Sequence, residues 1–259
     1  MDYPLPQAVR VEIDGSVRIV RLARPDHLNA VNADLHLGLT RVFPLLSADP
    51  DARVAVITGE GRAFSAGGDF NLLDRMVNDR ALRHNVIAEG RELVLNMIRC
   101  RVPVIAAVNG PAVGLGCSVI ALSDVVYMAE SAYLSDPHVA VGLVAGDGGP
   151  LTWPLHTSLL LAKEYAFTGD RIGAARAKEI GLANHVCPDG EVLAAALAAA
   201  HKIASLPRQA VEATKRILNL HVERAVLATI DFAMAAETES FDTDDLRANV
   251  ARFLKRSPG

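Results

Sequence analysis

Val54-Ala55-Val56-Ile57-Thr58-Gly59 is an unbroken apolar run that stops at a glycine, and Phe64-Ser65-Ala66-Gly67-Gly68-Asp69 follows it. Val104-Ile105-Ala106-Ala107-Val108 repeats the design, stops at Asn109-Gly110 and leads into Pro111-Ala112-Val113-Gly114-Leu115-Gly116. Short runs that are apolar at every position and bounded by turn residues read as strands covered on both faces, the habit of a parallel sheet. Helical spacing comes after each loop, over residues 80–100 and again over Cys117-Ser118-Val119-Ile120-Ala121-Leu122. The unit strand, glycine loop, helix thus occurs twice and predicts an α/β fold.

Outward from this centre, Val9 to Ile13 and Val17 to Leu22 alternate apolar and polar residues around Asp14-Gly15, which predicts a hairpin with one wet face. Asn32 to Leu46 carries helical apolar spacing through Leu35, Leu39, Val42 and Leu46, with Asn32 as N-cap and Pro50 past the end. Towards the C-terminus, Glu191 to His201 and everything from Gln209 onwards reads as helix alone. The division expected is therefore a β/α core over residues 1–195 and a helical region over 196–259. A chain of 259 residues, 51% hydrophobic and 22% charged, suits one buried core with an appendage.

A formal net charge of −4 supplies no basic field, so nucleic acid and anionic membrane surfaces are not expected partners. No apolar run approaches a membrane span, and Met1 to Arg10 lacks the pattern of a signal peptide. Cys100, Cys117 and Cys187 are odd in number and without metal spacing, which suits a reducing compartment and a cytoplasmic location. The histidines at 36, 84, 156, 185, 201 and 221 also lack ligand spacing, and no metal site is expected.

A loop that leaves a buried strand and opens a helix presents unpaired N–H groups beside the positive end of the helix dipole. Two such loops can aim two donors at one oxygen, as stabilising an enolate or tetrahedral oxyanion requires. Either loop alone is explained as well by turn-making. Neither has the glycine spacing of a nucleotide fingerprint.

Arg24-Pro25-Asp26-His27-Leu28-Asn29-Ala30, the segment from Ile57 to Asp69, Pro103 to Gly110, and Thr168-Gly169-Asp170-Arg171-Ile172 resemble, in order, the signature segments of the crotonase (enoyl-CoA hydratase/isomerase) superfamily. The resemblance implies a crotonase-type (ClpP-like) spiral of repeated β-β-α units with a C-terminal α-helical trimerisation region, assembled as a homotrimer or a dimer of trimers. It implies an acyl-CoA substrate, with no cofactor other than the coenzyme A of that substrate, and a thioester oxygen held by the backbone N–H groups of Gly68 and Leu115. Carried over by position, Ala66 lines the adenine pocket, Asp26 and His27 lie in the segment that contacts CoA, and Phe253, Lys255 and Arg256 match a C-terminal pattern that closes over it.

Relatives with hydratase activity use two glutamates, and this chain has Ser118 and His138 in their places. Losing a positioned acid or base costs about 10²–10⁴ in rate. The expected replacement is His138 oriented by Asp147, across a glycine-interrupted segment able to fold back. That pair, with Trp153-Pro154 after it, resembles the β-diketone hydrolase branch typified by 6-oxocamphor hydrolase. Glu237 lies near a further acid of that branch, whereas Leu115 stands where the branch has a histidine. Ser118 is expected to face substrate or to serve as a small helix residue. Three readings follow: an acyl-CoA enzyme using His138 and Asp147, a carbon–carbon hydrolase of β-diketones, and a silent acyl-CoA-binding protein.

Overall fold

The computed structural model describes residues 2–256, with Arg256 by its backbone alone. The hairpin of β1 (Val9–Asp14) and β2 (Val17–Leu22) forms as the alternation predicts, and β1 supplies the edge of a six-stranded sheet. From β2 the sheet continues in parallel through β3 (Val54–Gly59), β4 (Val104–Val108), β6 (Val125–Ala129) and β9 (His185–Cys187). A smaller sheet joins β5 (Ala112–Val113), β7 (Tyr133–Ser135) and β8 (Ile172–Gly173). All residues of β3 and β4 are buried, as runs without a polar face require.

Two long helices cover one flank. Asn32 caps α1 (Ala33–Ala48) by accepting from the Leu35 N–H at 2.9 Å, and α1 packs on α3 (Arg80–Arg99). Between β3 and α3 lies the short α2 (Phe70–Asn78), and α4 (Leu115–Ala121) follows the second glycine loop. Helices α5 (His138–Val141), α6 (Gly149–His156), α7 (Leu159–Thr168) and α8 (Ala174–Glu179) fill the interval before β9. The C-terminal part comprises α9 (Val192–Ala204), α10 (Arg208–Leu227), α11 (Ile230–Ser240) and α12 (Asp244–Arg256).

The expected division at residues 195 and 196 falls inside α9, which packs on β3, β4 and β6. Ala196 and Ala200 are fully buried there, and their small side chains let the helix lie close to the sheet. Alanine richness at the sequence level marked helix correctly and hid that this helix belongs to the core. No helix among the described residues is long and apolar enough to cross a membrane.

A buried ion pair ties the hairpin to α1. Arg18 Nε donates to Asp49 Oδ2 at 2.7 Å, and the Tyr3 hydroxyl donates to the same carboxylate at 2.5 Å. Burial opposes the Asp49 charge, yet the Tyr3 and Arg18 hydrogen bonds outweigh it and hold the carboxyl at about 2. Removing one partner leaves the other buried and unpaired, so Asp49→Ala is expected to cost about 3–5 kcal/mol. Equilibrium urea unfolding measures this, and a midpoint equal to the wild type's would contradict it.

Candidate active site

The first glycine loop is held from below by a residue in a conformation that few side chains tolerate. Asn29 sits at φ +54°, its amide nitrogen donates to the carbonyls of Glu60 and Ala63 at 2.9 Å each, and its own carbonyl accepts from the Ser65 hydroxyl. Val31 then bridges the loop: its N–H donates to Gly67 O at 2.7 Å and its carbonyl accepts from the Asp69 N–H at 3.1 Å. In a parallel bridge the residue between those two bonds turns its own N–H the other way. That residue is Gly68, and among the described residues its N–H has no acceptor. Asp69 closes the loop by capping α2 at Asn71.

In the second loop Gly114 adopts φ +53° and ψ −121°. Its N–H donates to Ser135 O at 3.0 Å and its carbonyl accepts from Cys117 at 2.8 Å, leaving the Leu115 N–H at the start of α4 without an acceptor among the described residues. The loops touch. The Val113 N–H donates to Ser65 O at 2.9 Å, and a β-carbon placed on Gly114 would lie 3.7 Å from Gly67 Cα. Gly68 and Leu115 line a single cavity of about 130 Å³.

That cavity also receives His36, His138, Asp147 and Glu237. Nδ1 of His138 is hydrogen-bonded to Asp136 Oδ1, so the carboxylate that orients the imidazole is Asp136 and not the expected Asp147. Asp136 and His138 are separated by Pro137 alone, and the turn into α5 brings the side chains together. Asp136 is 2% exposed, and its other oxygen accepts from the Gly149 N–H at 3.2 Å. Burial opposes the Asp136 charge, but the His138 imidazolium and these N–H groups outweigh it and hold the carboxyl below the usual range.

His138 responds in the opposite direction. Burial disfavours the imidazolium, but the charge and hydrogen bond of Asp136, with smaller help from Asp147 and Glu237, push its pKa up to about 9. His138 is therefore held in its imidazolium form through neutral pH. Burial raises the Asp147 carboxyl, against the pull of the His138 and His36 rings. Glu237 is raised well above the usual value by burial and by the Asp147 carboxylate beside it. The site thus holds a cation, a low carboxylate behind it and two carboxyls that resist sharing negative charge.

Other expected site residues are placed as follows. Ala66 lines the cavity. Ser118 is buried beside Gly148, its hydroxyl has no protein partner among the described residues, and it is not among the residues that line the cavity. Asp26 and His27 are exposed on a 3₁₀ turn outside the cavity, joined to the first loop through the Ala66 N–H bond to Leu28 O at 2.9 Å. Phe253 stacks on Phe70 at 4.2 Å, and Phe70 lines the cavity. Lys255 is exposed on α12. Among the described residues no cluster of histidine, cysteine and carboxylate side chains is arranged for a metal ion.

One member of the site, Asp136, escaped sequence reasoning. The signal for Asp136 is an acid directly before Pro137-His138, in competition with Asp147 across the glycine-interrupted segment. Glu237, singled out in the sequence by the resemblance alone, is one acid among many in a helical tail, and the packing of α11 brings it to the cavity.

Comparison with known proteins agrees with this architecture. Residues 12–258 match the family described as Enoyl-CoA hydratase/isomerase, and the chain belongs to that family of enzymes. It resembles the crystal structure of an enoyl-CoA hydratase/isomerase from Mycobacterium paratuberculosis with a TM-score of 0.95 and 63% identity, over 96% of this chain and 100% of that one. It is 31% identical over 248 residues to a probable mitochondrial enoyl-CoA hydratase of Dictyostelium discoideum, spanning 95% of this chain and 88% of that protein. The short-chain-enoyl-CoA hydratase of Clostridium acetobutylicum is 30% identical over 253 residues, which is 96% of this chain and 95% of that protein. The spiral α/β fold expected from the signature segments is thereby shown.

Proposed function

We propose that this chain acts on an acyl-CoA thioester, binding the carbonyl oxygen between the N–H groups of Gly68 and Leu115 and moving a proton at the adjacent carbon. The observation that carries this reading is the contact of the two glycine loops on one cavity, their two N–H groups without protein acceptors, opposite His138, Asp147 and Glu237. Donors placed where charge develops lower the barrier to an enolate-like state. Water addition to a 2-enoyl thioester then balances: the water oxygen bonds to C3, its proton passes to the Asp147 carboxylate, and the His138 imidazolium delivers a proton to C2. Asp147 and Glu237 fill the role for which the hydratase relatives' glutamates are absent. No cofactor takes part beyond the coenzyme A of the substrate.

Assembly as a homotrimer or a dimer of trimers belongs to the same reading. It is supported by large apolar side chains left exposed on the helices, among them Leu160, Phe167, Ile217, Leu218 and Phe232.

A second reading, cleavage of a carbon–carbon bond in a β-diketone, is favoured by the arrival of Glu237 beside Asp147 and His138. Hydration of short 2-enoyl-CoA thioesters, followed as loss of the conjugated absorbance, is expected to proceed, with deuterium from heavy water appearing at C2. Diketone consumption without any acyl-CoA turnover would transfer the assignment to the second reading. Tight acyl-CoA binding without turnover of either class would mark a silent binding protein.

A further inference from the structure

His36 is a buried histidine that the reaction above does not use. It projects from α1, its Nδ1 lies 3.0 Å from Glu89 Oε2 on α3, and its ring lines the cavity. The Thr40 hydroxyl lies within hydrogen-bonding distance of the carbonyls of both His36 and Glu89, fixing α1 against α3 at this level. A carboxylate only accepts, so Nδ1 carries a proton towards Glu89, and Nε2 is the ring atom turned towards Gly90 and Asp147.

The residue after Glu89 is Gly90, in the interior of α3, where glycine is less favourable than alanine. Crowding does not explain it. A β-carbon there would lie 3.6 Å from Asp147 Oδ2 and 3.8 Å from His36 Nε2, both ordinary contacts. By contrast, a β-carbon on Gly38 of α1 would fall 2.5 Å from Val9 Cγ2, so that glycine is sterically required. Gly90 instead keeps a small space beside two polar atoms that have no direct bond to each other, and a polar pocket with such partners suits one water.

We propose that His36, held at Nδ1 by Glu89, is a positioning residue that keeps Asp147 ionised through a water seated at Gly90, leaving the shared proton of the carboxyl pair on Glu237. The water donates one hydrogen to His36 Nε2 and the other to Asp147 Oδ2. Asp147 is also faced by His138 and Asp136 from the β7 to α5 turn and by Glu237 from α11, and among these carboxyls it alone gains the water's hydrogen bond. This inference rests on the acyl-CoA reading for its place in catalysis and on geometry alone for the proton's location. It makes Asp147 the group able to accept a proton from water, and Glu237 a neutral neighbour.

The test titrates the Asp147 carboxyl carbon by NMR in the substrate-free full chain, with Asp147→Asn to assign the signal. Gly90→Ala fills the water's seat with a methyl group at no cost to the helix, and His36→Asn removes the ring. The Asp147 midpoint is expected to rise by about one pH unit in both variants, with the acidic limb of kcat/KM moving by the same amount while the Gly90→Ala melting temperature does not fall. Midpoints coinciding with the wild type's in both variants overturn the proposal. If the wild type turns over no acyl-CoA, the functional reading fails by itself, and the titration still decides where the proton resides.

Discussion

Replacing His138 by alanine is expected to lower turnover of the best acyl-CoA substrate by about 10²–10⁴, the range for removal of a positioned acid. Because alanine leaves Asp136 buried without its cation, His138→Gln is the companion variant: its amide still donates to Asp136 but cannot titrate. Full activity in His138→Gln would refute the role. The pH profile carries a sign. The imidazolium is present below a pKa of about 9, so activity that needs this donor is expected to persist through neutral pH and fall on the alkaline side. In Asp136→Asn the largest opposition to the burial of the imidazolium is lost, only the smaller help of Asp147 and Glu237 remains, and the alkaline limb moves to lower pH. Stability follows the same bookkeeping. His138 contributes fully below its ordinary value of about 6.5, and that contribution is lost as pH rises through about 9. Asp136, held low, contributes above the ordinary carboxylate range and loses that contribution on acidification.

Gly114→Ala is expected to reduce kcat/KM by about 10²–10³, comparable to deleting one oxyanion donor. Gly114 combines φ +53° with ψ −121°, outside even the left-handed region open to L residues. Forcing a side chain there costs of order 1–3 kcal/mol. The new β-carbon would also stand 3.3 Å from His138 Cε1. The chain relieves both by turning the peptide that carries the Leu115 N–H, and the donor leaves its aim while α4 keeps its buried side. Circular dichroism is expected to be unchanged and the melting temperature lowered. Wild-type kcat/KM in this variant would show that the Leu115 N–H does not bind the reacting oxygen.

The fold was legible because its central strands carry their instructions locally. Val54 to Thr58 and Val104 to Val108 have no polar face, so they must be interior strands, and glycine loops after them must open helices. Gly67, Gly68 and Gly114 were legible as a pair of loops for the same reason. Ser118 was legible only as a substrate contact or a small helix residue, and α4 buries its hydroxyl beside Gly148, away from the residues that line the cavity. The partner of His138 was misassigned by eleven residues of chain, from Asp136 to Asp147, because sequence distance says little once a turn and glycine-rich connections set direction.

What the amino-acid order determined unaided was the strand–loop–helix repeat and the α-helical C-terminus, since each is set by local spacing and side-chain type, and the family resemblance added His138 as the candidate histidine. Which carboxylate meets that histidine, that Glu237 arrives from α11, and that Gly90 opens a space beside His36 were decided only by tertiary packing. Charge interactions act over a few ångströms regardless of separation along the chain, so the protonation pattern of the site exists only once helices α1, α3, α5 and α11 have closed around one cavity.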